Sequence, residues 1–244
     1  LSLLASFFCA AIVGVIVEKT IIRKLYNRDH LDQVLVTFAL ILFFSELIRW
    51  IFGAFPLYLD VPKFLNGSIE IFGGIYYSKY RLFIIFVGLI IATFLFFLIG
   101  KTNLGIQIRA GQYDREMISA LGVNISKLYT LLFGIGAALA GLAGALIGTI
   151  QSVEVGMGEP ILILAFVIIV IGGIGSIKGA FIASLLVGLV DTLGRFLIPW
   201  VLQTITNPSD AMSIGSAIGS MLIYILMAII LILRPTGLYG RKLS

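Results

Sequence analysis

Asp191 and Arg195 stand four residues apart inside the apolar stretch Ala180–Leu197. On a helix that spacing puts both on one face. Charges inside a lipid-soluble segment are costly and point first to a path for ions or solutes. The simpler chemistry is an ion pair that neutralises itself, and that is the expectation here. Glu46 and Arg49 repeat the pattern at the end of Val34–Phe52, with the same expectation. Asp191 and Glu46 are also the candidates for an intramembrane proton or ion relay. Glu154 and Glu159, among Gly156, Gly158 and Pro160, could draw an ammonium group to a mouth; a solvated turn is the preferred reading. There is no phosphate-cradling GxxxxGK[ST], no His/Cys metal spacing and no nucleophile–base motif. Cys9 is the one cysteine and lies in an apolar run, so neither a disulfide nor a metal cluster is expected. His30, the one histidine, sits in a charged connector and reads as solvated.

The elements that must carry these groups are membrane helices. Of 244 residues, 60% are hydrophobic and 12% charged, where a soluble domain has about 25% charged residues. So much apolar surface needs a bilayer as solvent. The net charge of +5 does not suggest nucleic acid, because the cations sit in short connectors, where they orient a membrane protein. Seven segments qualify: Leu3–Val17, Val34–Phe52, Leu82–Gly100, Leu128–Ile150, Ile161–Ile174, Ala180–Leu197 and Ile214–Leu233. The fold class is an all-α polytopic bundle of about seven segments in one transmembrane domain over residues 1–244. The fifth segment is short, so it either extends through the glycines that follow or is a half-helix. Leu3–Val17 lacks the basic lead and cleavage site of a signal peptide and reads as a membrane helix.

If the first segment exits to the cytoplasm, twelve of the 17 Lys and Arg are cytoplasmic. They are Lys19, Arg23, Lys24, Arg28, Lys101, Arg109, Arg115, Lys127, Lys178, Arg234, Arg241 and Lys242. Arg49, Lys63, Lys79, Arg81 and Arg195 fall on the outer side. The positive-inside bias selects this orientation, with a cytoplasmic C-terminus. The outer connector Gly53–Tyr80, with its Asn66-Gly67 turn signal and Gly73-Gly74 among aromatics, is expected to be ordered and to include a short hairpin.

Two glycine patterns stand out. Gly134, Gly141, Gly144 and Gly148, with Ala137, form one flat face on which another helix can approach closely. In I-G-G-I-G-S-I-K-G-A, Gly172, Gly173, Gly175, Ser176 and Gly179 crowd the end of a very apolar helix. That cluster reads either as a broken helix that lines or hinges a pathway or as a tight turn needing glycine for its backbone angles.

The connector Lys101–Lys127 is long and polar. Thr102-Asn103 can start a helix through Arg109, with Gly111 as its break. Asp114 can cap a second helix, and Gly122 can stop it. Met117, Ile118 and Leu121 are expected to share one apolar face. Such a pair of helices suits either the groove of a partner protein or the lipid surface.

Glu116, followed six residues later by Gly122, resembles the E-A-A-x-x-x-G docking loop of ABC importer permeases, with Met117 and Ile118 in place of the alanines. Arg109-Ala110, D-R-E, L-G-V, A-L-A-G-L-A-G at Ala138–Gly144, G-G-I-G-S-I-K-G-A and R-P-T-G-L-Y-G at Arg234–Gly240 follow in order. Together they resemble the branched-chain amino-acid ABC permeases of the LivH/LivM type, closer to LivH. That family usually carries further N-terminal helices with an N-F-A-H-G-like stretch, so an N-terminally truncated chain is expected.

The resemblance implies a permease subunit of an importer of leucine, isoleucine and valine in a prokaryotic inner membrane, not itself an enzyme. It implies a homologous second permease, two cytoplasmic ATPases that bind ATP and Mg, and an extracytoplasmic binding protein. Arg109, Asp114, Arg115, Glu116, Met117 and Gly122 would form the coupling loop, within residues 101–127. Gly172, Gly173, Gly175, Ser176 and Gly179 would form the flexible pathway element. The alternatives are transport of urea, amides or other amino acids, a gradient-driven transporter or channel, and a scaffold without a pathway.

Overall fold

The computed structural model describes residues 2–26, 28–72, 75–173, 175–204 and 207–240. Each apolar segment forms a helix. They are α1 (Ser2–Val17), α3 (His30–Phe52), α4 (Lys79–Lys101), α7 (Ile125–Ile147), α8 (Gly158–Gly172), α9 (Ile177–Leu202) and α10 (Pro208–Leu233). Past Val17, α1 continues as a π-helical turn, Glu18–Ile22, and then the short α2, Arg23–Leu25. The polar connector holds α5 (Asn103–Tyr113) and α6 (Arg115–Ala120). Among the described residues six helices are long and apolar enough to cross a bilayer, and the chain is a multi-pass membrane protein. The exception is α8, with 15 residues; it rises about 22 Å, short of a hydrocarbon core of about 30 Å.

The chain divides at Gly158 into two compact units. In the first, α1 and α7 run antiparallel along a seam of small residues. A Cβ added at Gly14 would lie 2.3 Å from the Cβ of Ala137, and one at Gly141 would lie 2.3 Å from that of Ala10 and 2.8 Å from the Ser6 carbonyl oxygen. Gly134 meets Val15 in the same way. In lipid such seams hold by close packing, because there is no hydrophobic drive between apolar helices. Gly148 abuts Val153, whereas a Cβ at Gly144 meets nothing, so Gly144 stands outside the α1 seam. Gly141→Leu is therefore expected to lower the thermal midpoint in detergent, at a cost of about 1–3 kcal/mol or more, while Gly144→Ala, with open space for its methyl, keeps or raises it.

The expected hairpin is present: β1 (Ser68–Phe72) pairs antiparallel with β2 (Ile75–Ser78), with a register irregularity between Glu70 and Phe72. Gly73 and Gly74 lie outside the described residues. Leu57 and Val153 exchange backbone hydrogen bonds of 2.9 and 2.8 Å, tying this connector to the one after α7. The buried Tyr80 hydroxyl donates to the Leu146 carbonyl at 2.9 Å, so the start of α4 is fixed to the end of α7.

The second unit is built on the antiparallel pair α9–α10. Its buried core is Val167, Ile171, Ala183, Val187 and Ile223. Gly194 and Gly219 touch, and Gly215 sits against Pro199. The two helices thus approach at backbone distance.

Candidate functional site

The polar connector is a rigid corner. Thr102 caps α5 by accepting from the Gly105 amide at 3.3 Å. Its hydroxyl donates to the Leu98 carbonyl, and the Arg109 guanidinium donates to the Ile99 carbonyl. A Cβ at Gly105 would stand 2.0 Å from the Ile99 oxygen. The turn from α4 to α5 therefore requires glycine at a position that the sequence did not mark. Arg109, expected at a partner surface, ties α5 to α4.

Gly111 does not break α5, which runs on to Tyr113. One helical glycine costs only about 1 kcal/mol; here the residue is buried, and a Cβ would reach a Leu128 methyl at 3.9 Å. Asp114 caps α6 by accepting from the Met117 amide at 3.0 Å. The stop is a Schellman motif: the Val123 amide donates to the Ile118 carbonyl and the Gly122 amide to that of Ser119, with Gly122 at φ +86°. Arg115 and Glu116 lie in α6; their side chains are outside what is described.

Met117, Ile118 and Leu121 do not share a face. Ile118 is buried, while Met117 and Leu121 are 62% and 76% exposed. Met117 lies about 100° around the helix from Ile118, and Leu121 falls in the turn past the end of α6, so both stay outward while Ile118 is seated inward. The loop presents two large apolar side chains on a fixed mount.

A second polar centre went unmarked in the sequence. Glu18, in the π-helical turn, is fully buried. The Arg23 guanidinium donates to its carboxylate at 3.4 and 3.2 Å, and the Tyr26 hydroxyl at 3.3 Å. Thr130 of α7 donates at 2.8 Å and accepts from Arg23 at 2.6 Å. Burial, and then the nearby carboxylate, push the Tyr26 phenol up to about 12, so it remains a proton donor at neutral pH. Residues five apart do not stack on an α-helix, but a π turn, with its i→i+5 bonds, brings Glu18 under Arg23. The Tyr26 ring meets Tyr129 edge-on at 5.1 Å. Both tyrosines line an open, mostly apolar pocket of about 730 Å³, together with Ile108, Gly111, Leu128, Leu132, Phe133, Gly136, Ala137 and Ala140.

In the second unit the two remaining glycine motifs interlock. A Cβ at Gly172 would stand 2.5 Å from the Gly179 carbonyl carbon, and one at Gly179 2.0 Å from the Gly172 oxygen. Gly173 has φ +94°, and its Cβ would meet the Gly240 nitrogen at 2.4 Å. Gly237 has φ +80°, and a Cβ there would stand 2.6 Å from the Gly173 backbone. The Leu238 and Tyr239 amides donate to the Ile171 and Gly172 carbonyls at 2.8 and 3.1 Å. These bonds satisfy the open carbonyls at the end of α8. Ser176 caps α9 by accepting from the Gly179 amide at 3.1 Å, and Gly175 is exposed at φ +83°. Ile174 and the tail cations Arg241 and Lys242 lie outside the described residues. The geometry is a tight turn clasped by the C-terminal segment.

Asp191 and Arg195 form an ion pair at 2.7 Å, and Glu46 and Arg49 one at 2.9 Å. No group of side chains able to hold a metal occurs among the described residues.

The family description "Branched-chain amino acid transport system / permease component" matches residues 1–231. The chain is 29% identical over 251 residues to the high-affinity branched-chain amino acid transport system permease protein BraD of Pseudomonas aeruginosa, covering 99% of this chain and 76% of that one. It is 28% identical over 251 residues to the corresponding permease protein LivH of Escherichia coli, covering 98% and 75%. It is 26% identical over 249 residues to the probable permease LivH of Methanocaldococcus jannaschii, covering 98% and 74%. No solved structure matches. Signature motifs in order, a bundle of bilayer-length helices and a match over most of the length agree: the chain belongs to the family of permease components of branched-chain amino acid transport systems.

Proposed function

We propose that the chain is the membrane subunit of an ATP-driven importer of branched-chain amino acids, docked through residues 101–127 on a cytoplasmic ATPase. The observation that carries the reading is the exposed pair Met117, in α6, and Leu121, in the turn that ends it, held by two helix caps, the Arg109–Ile99 bond and the buried Ile118. Large apolar side chains on a rigid mount suit a groove in a partner. Two such subunits, two ATPases that bind ATP and Mg, and an extracytoplasmic binding protein make the working complex. The membrane is a prokaryotic inner membrane and the C-terminus is cytoplasmic, a reading supported by the cation distribution. The glycines at 172–179 act as the anchor of the second unit instead of as a hinge; backbone-to-backbone contact supports that assignment.

Met117→Asp combined with Leu121→Asp is expected to cut ATPase copurification and ATP-driven leucine uptake at least about tenfold. Ser119→Asp, on the same helix, serves as the charge control. Uptake into vesicles with ATP but no ion gradient, with ATPases and binding protein supplied, checks the class. Uptake that follows an ion gradient and ignores ATP overturns it, and competition by urea or amides in place of leucine redirects the substrate.

A further inference from the structure

The Asp191–Arg195 pair differs from the other two ion pairs. Glu18 is fully buried, and Glu46–Arg49 lies in the last turns of α3. Asp191 is near the middle of α9, about 21 Å of helix from Ile177. Even so, the Asp191 side chain is 30% exposed and that of Arg195 53% exposed. A charged pair open at that depth is too costly against lipid and must face water or protein.

Helix α10 adds hydroxyls on the same side. Arg195 follows the contact residue Gly194 by one position; Ser216 and Ser220 follow the contact residues Gly215 and Gly219 by one position. One residue turns a helix by about 100°. On two antiparallel helices that turn, taken in the same sense, leads to the same side of the pair. A Cβ at Gly219 would meet the Arg195 backbone nitrogen at 2.9 Å, so Ser220 is level with Arg195; Gly215 sits against Pro199, so Ser216 lies one turn further along the same side. Ser216 and Ser220 donate to carbonyls of their own helix at 3.0 Å each, which leaves their oxygens as acceptors.

We propose that this side of α9–α10 binds the zwitterionic head of an α-amino acid in transit. The substrate ammonium pairs with the Asp191 carboxylate and its carboxylate with the Arg195 guanidinium; Ser220, level with Arg195, accepts a remaining ammonium proton, and Ser216 lines the same side one turn further on. When the site is empty, the two charges neutralise each other at 2.7 Å. When it is filled, they exchange partners with a zwitterion, so the span carries no net charge in either state. These groups read the head shared by all α-amino acids and leave side-chain choice elsewhere. The inference rests on the importer reading above.

The test uses the reconstituted complex with Cys9→Ser in this chain. Ser216→Cys, Ser220→Cys and, across α9 from the pair, Leu189→Cys are treated with a charged thiol reagent, which needs a thiolate and therefore water. Labelling at 216 and 220 but not at 189, slowed about tenfold or more by leucine, supports the site; Asp191→Asn and Arg195→Gln are each expected to raise the leucine KM about tenfold. Labelling that leucine does not slow, in a complex that still takes up leucine, overturns the site alone. Disulfides between two copies at 216 or 220 without reagent labelling overturn it in favour of a permease–permease interface. A Cys9→Ser parent that takes up no leucine with ATP overturns the importer reading and this inference with it.

Discussion

Replacing Glu18 by Ala lowers the stability of the folded protein by about 3 kcal/mol, the low end for breaking a buried ion pair. The low end applies because Arg23 keeps 38% of its side chain exposed and can be rehydrated. The loss has several parts. Arg23, Tyr26 and Thr130 lose the carboxylate as acceptor, and Thr130 keeps its bonds to the Ser126 carbonyl at 2.8 Å and to Arg23 at 2.6 Å. The π turn loses the contact that fixes it on α7. Glu18→Gln keeps the shape and one acceptor and costs about half as much. Thr130→Val tests the link from the α7 side and is expected to fall between the two. Thermal unfolding of the purified protein in detergent ranks the three. A midpoint for Glu18→Ala equal to that of the parent would remove the lock from this account.

The second large effect is expected at Gly173. Gly173 and Gly122 share nearly the same backbone, φ +94° and +86°. An L-residue costs about 1–2 kcal/mol in that region. Around Gly122 nothing lies within 4 Å, so Gly122→Ala carries only that strain. At Gly173 the added carbon meets Gly240 at 2.4 Å and the Thr236 oxygen at 2.8 Å, both backbone atoms that no rotamer change can move. The clasp must open, for a total of about 2–5 kcal/mol. Released, the C-terminal segment frees the Leu238 and Tyr239 amides from the Ile171 and Gly172 carbonyls and opens this stretch to chymotrypsin, so limited proteolysis reads the effect beside the unfolding midpoint. Equal midpoints and equal cleavage for Gly173→Ala and Gly122→Ala would show that the clasp contributes nothing.

The seven apolar segments, the hairpin before α4, the two connector helices and the self-paired charges were all legible, because each follows from local rules: apolar length, turn residues, caps and close i,i+3 or i,i+4 spacing. The errors lie where a third element intervenes. Gly111 reads as a break, but Leu128 of α7 lies over it and the helix continues. Met117, Ile118 and Leu121 read as one face until Ile118 is drawn inward.

By itself the sequence determined the solvent of this protein, its helices and the order of motifs that places it in its family. Those features depend on composition and on neighbours a few residues apart. Only the tertiary structure decided which glycines are obligatory, Gly105, Gly173 and Gly141 but not Gly144, since that depends on what a missing Cβ would meet. It alone joined Glu18 to Thr130, 112 residues away in the chain, and brought R-P-T-G-L-Y-G onto the glycine turn after α8. It also set Gly219 of α10 against the Arg195 backbone of α9. Contacts of that range arise only when helices pack, and packing in lipid is decided by close fit, which no local pattern encodes.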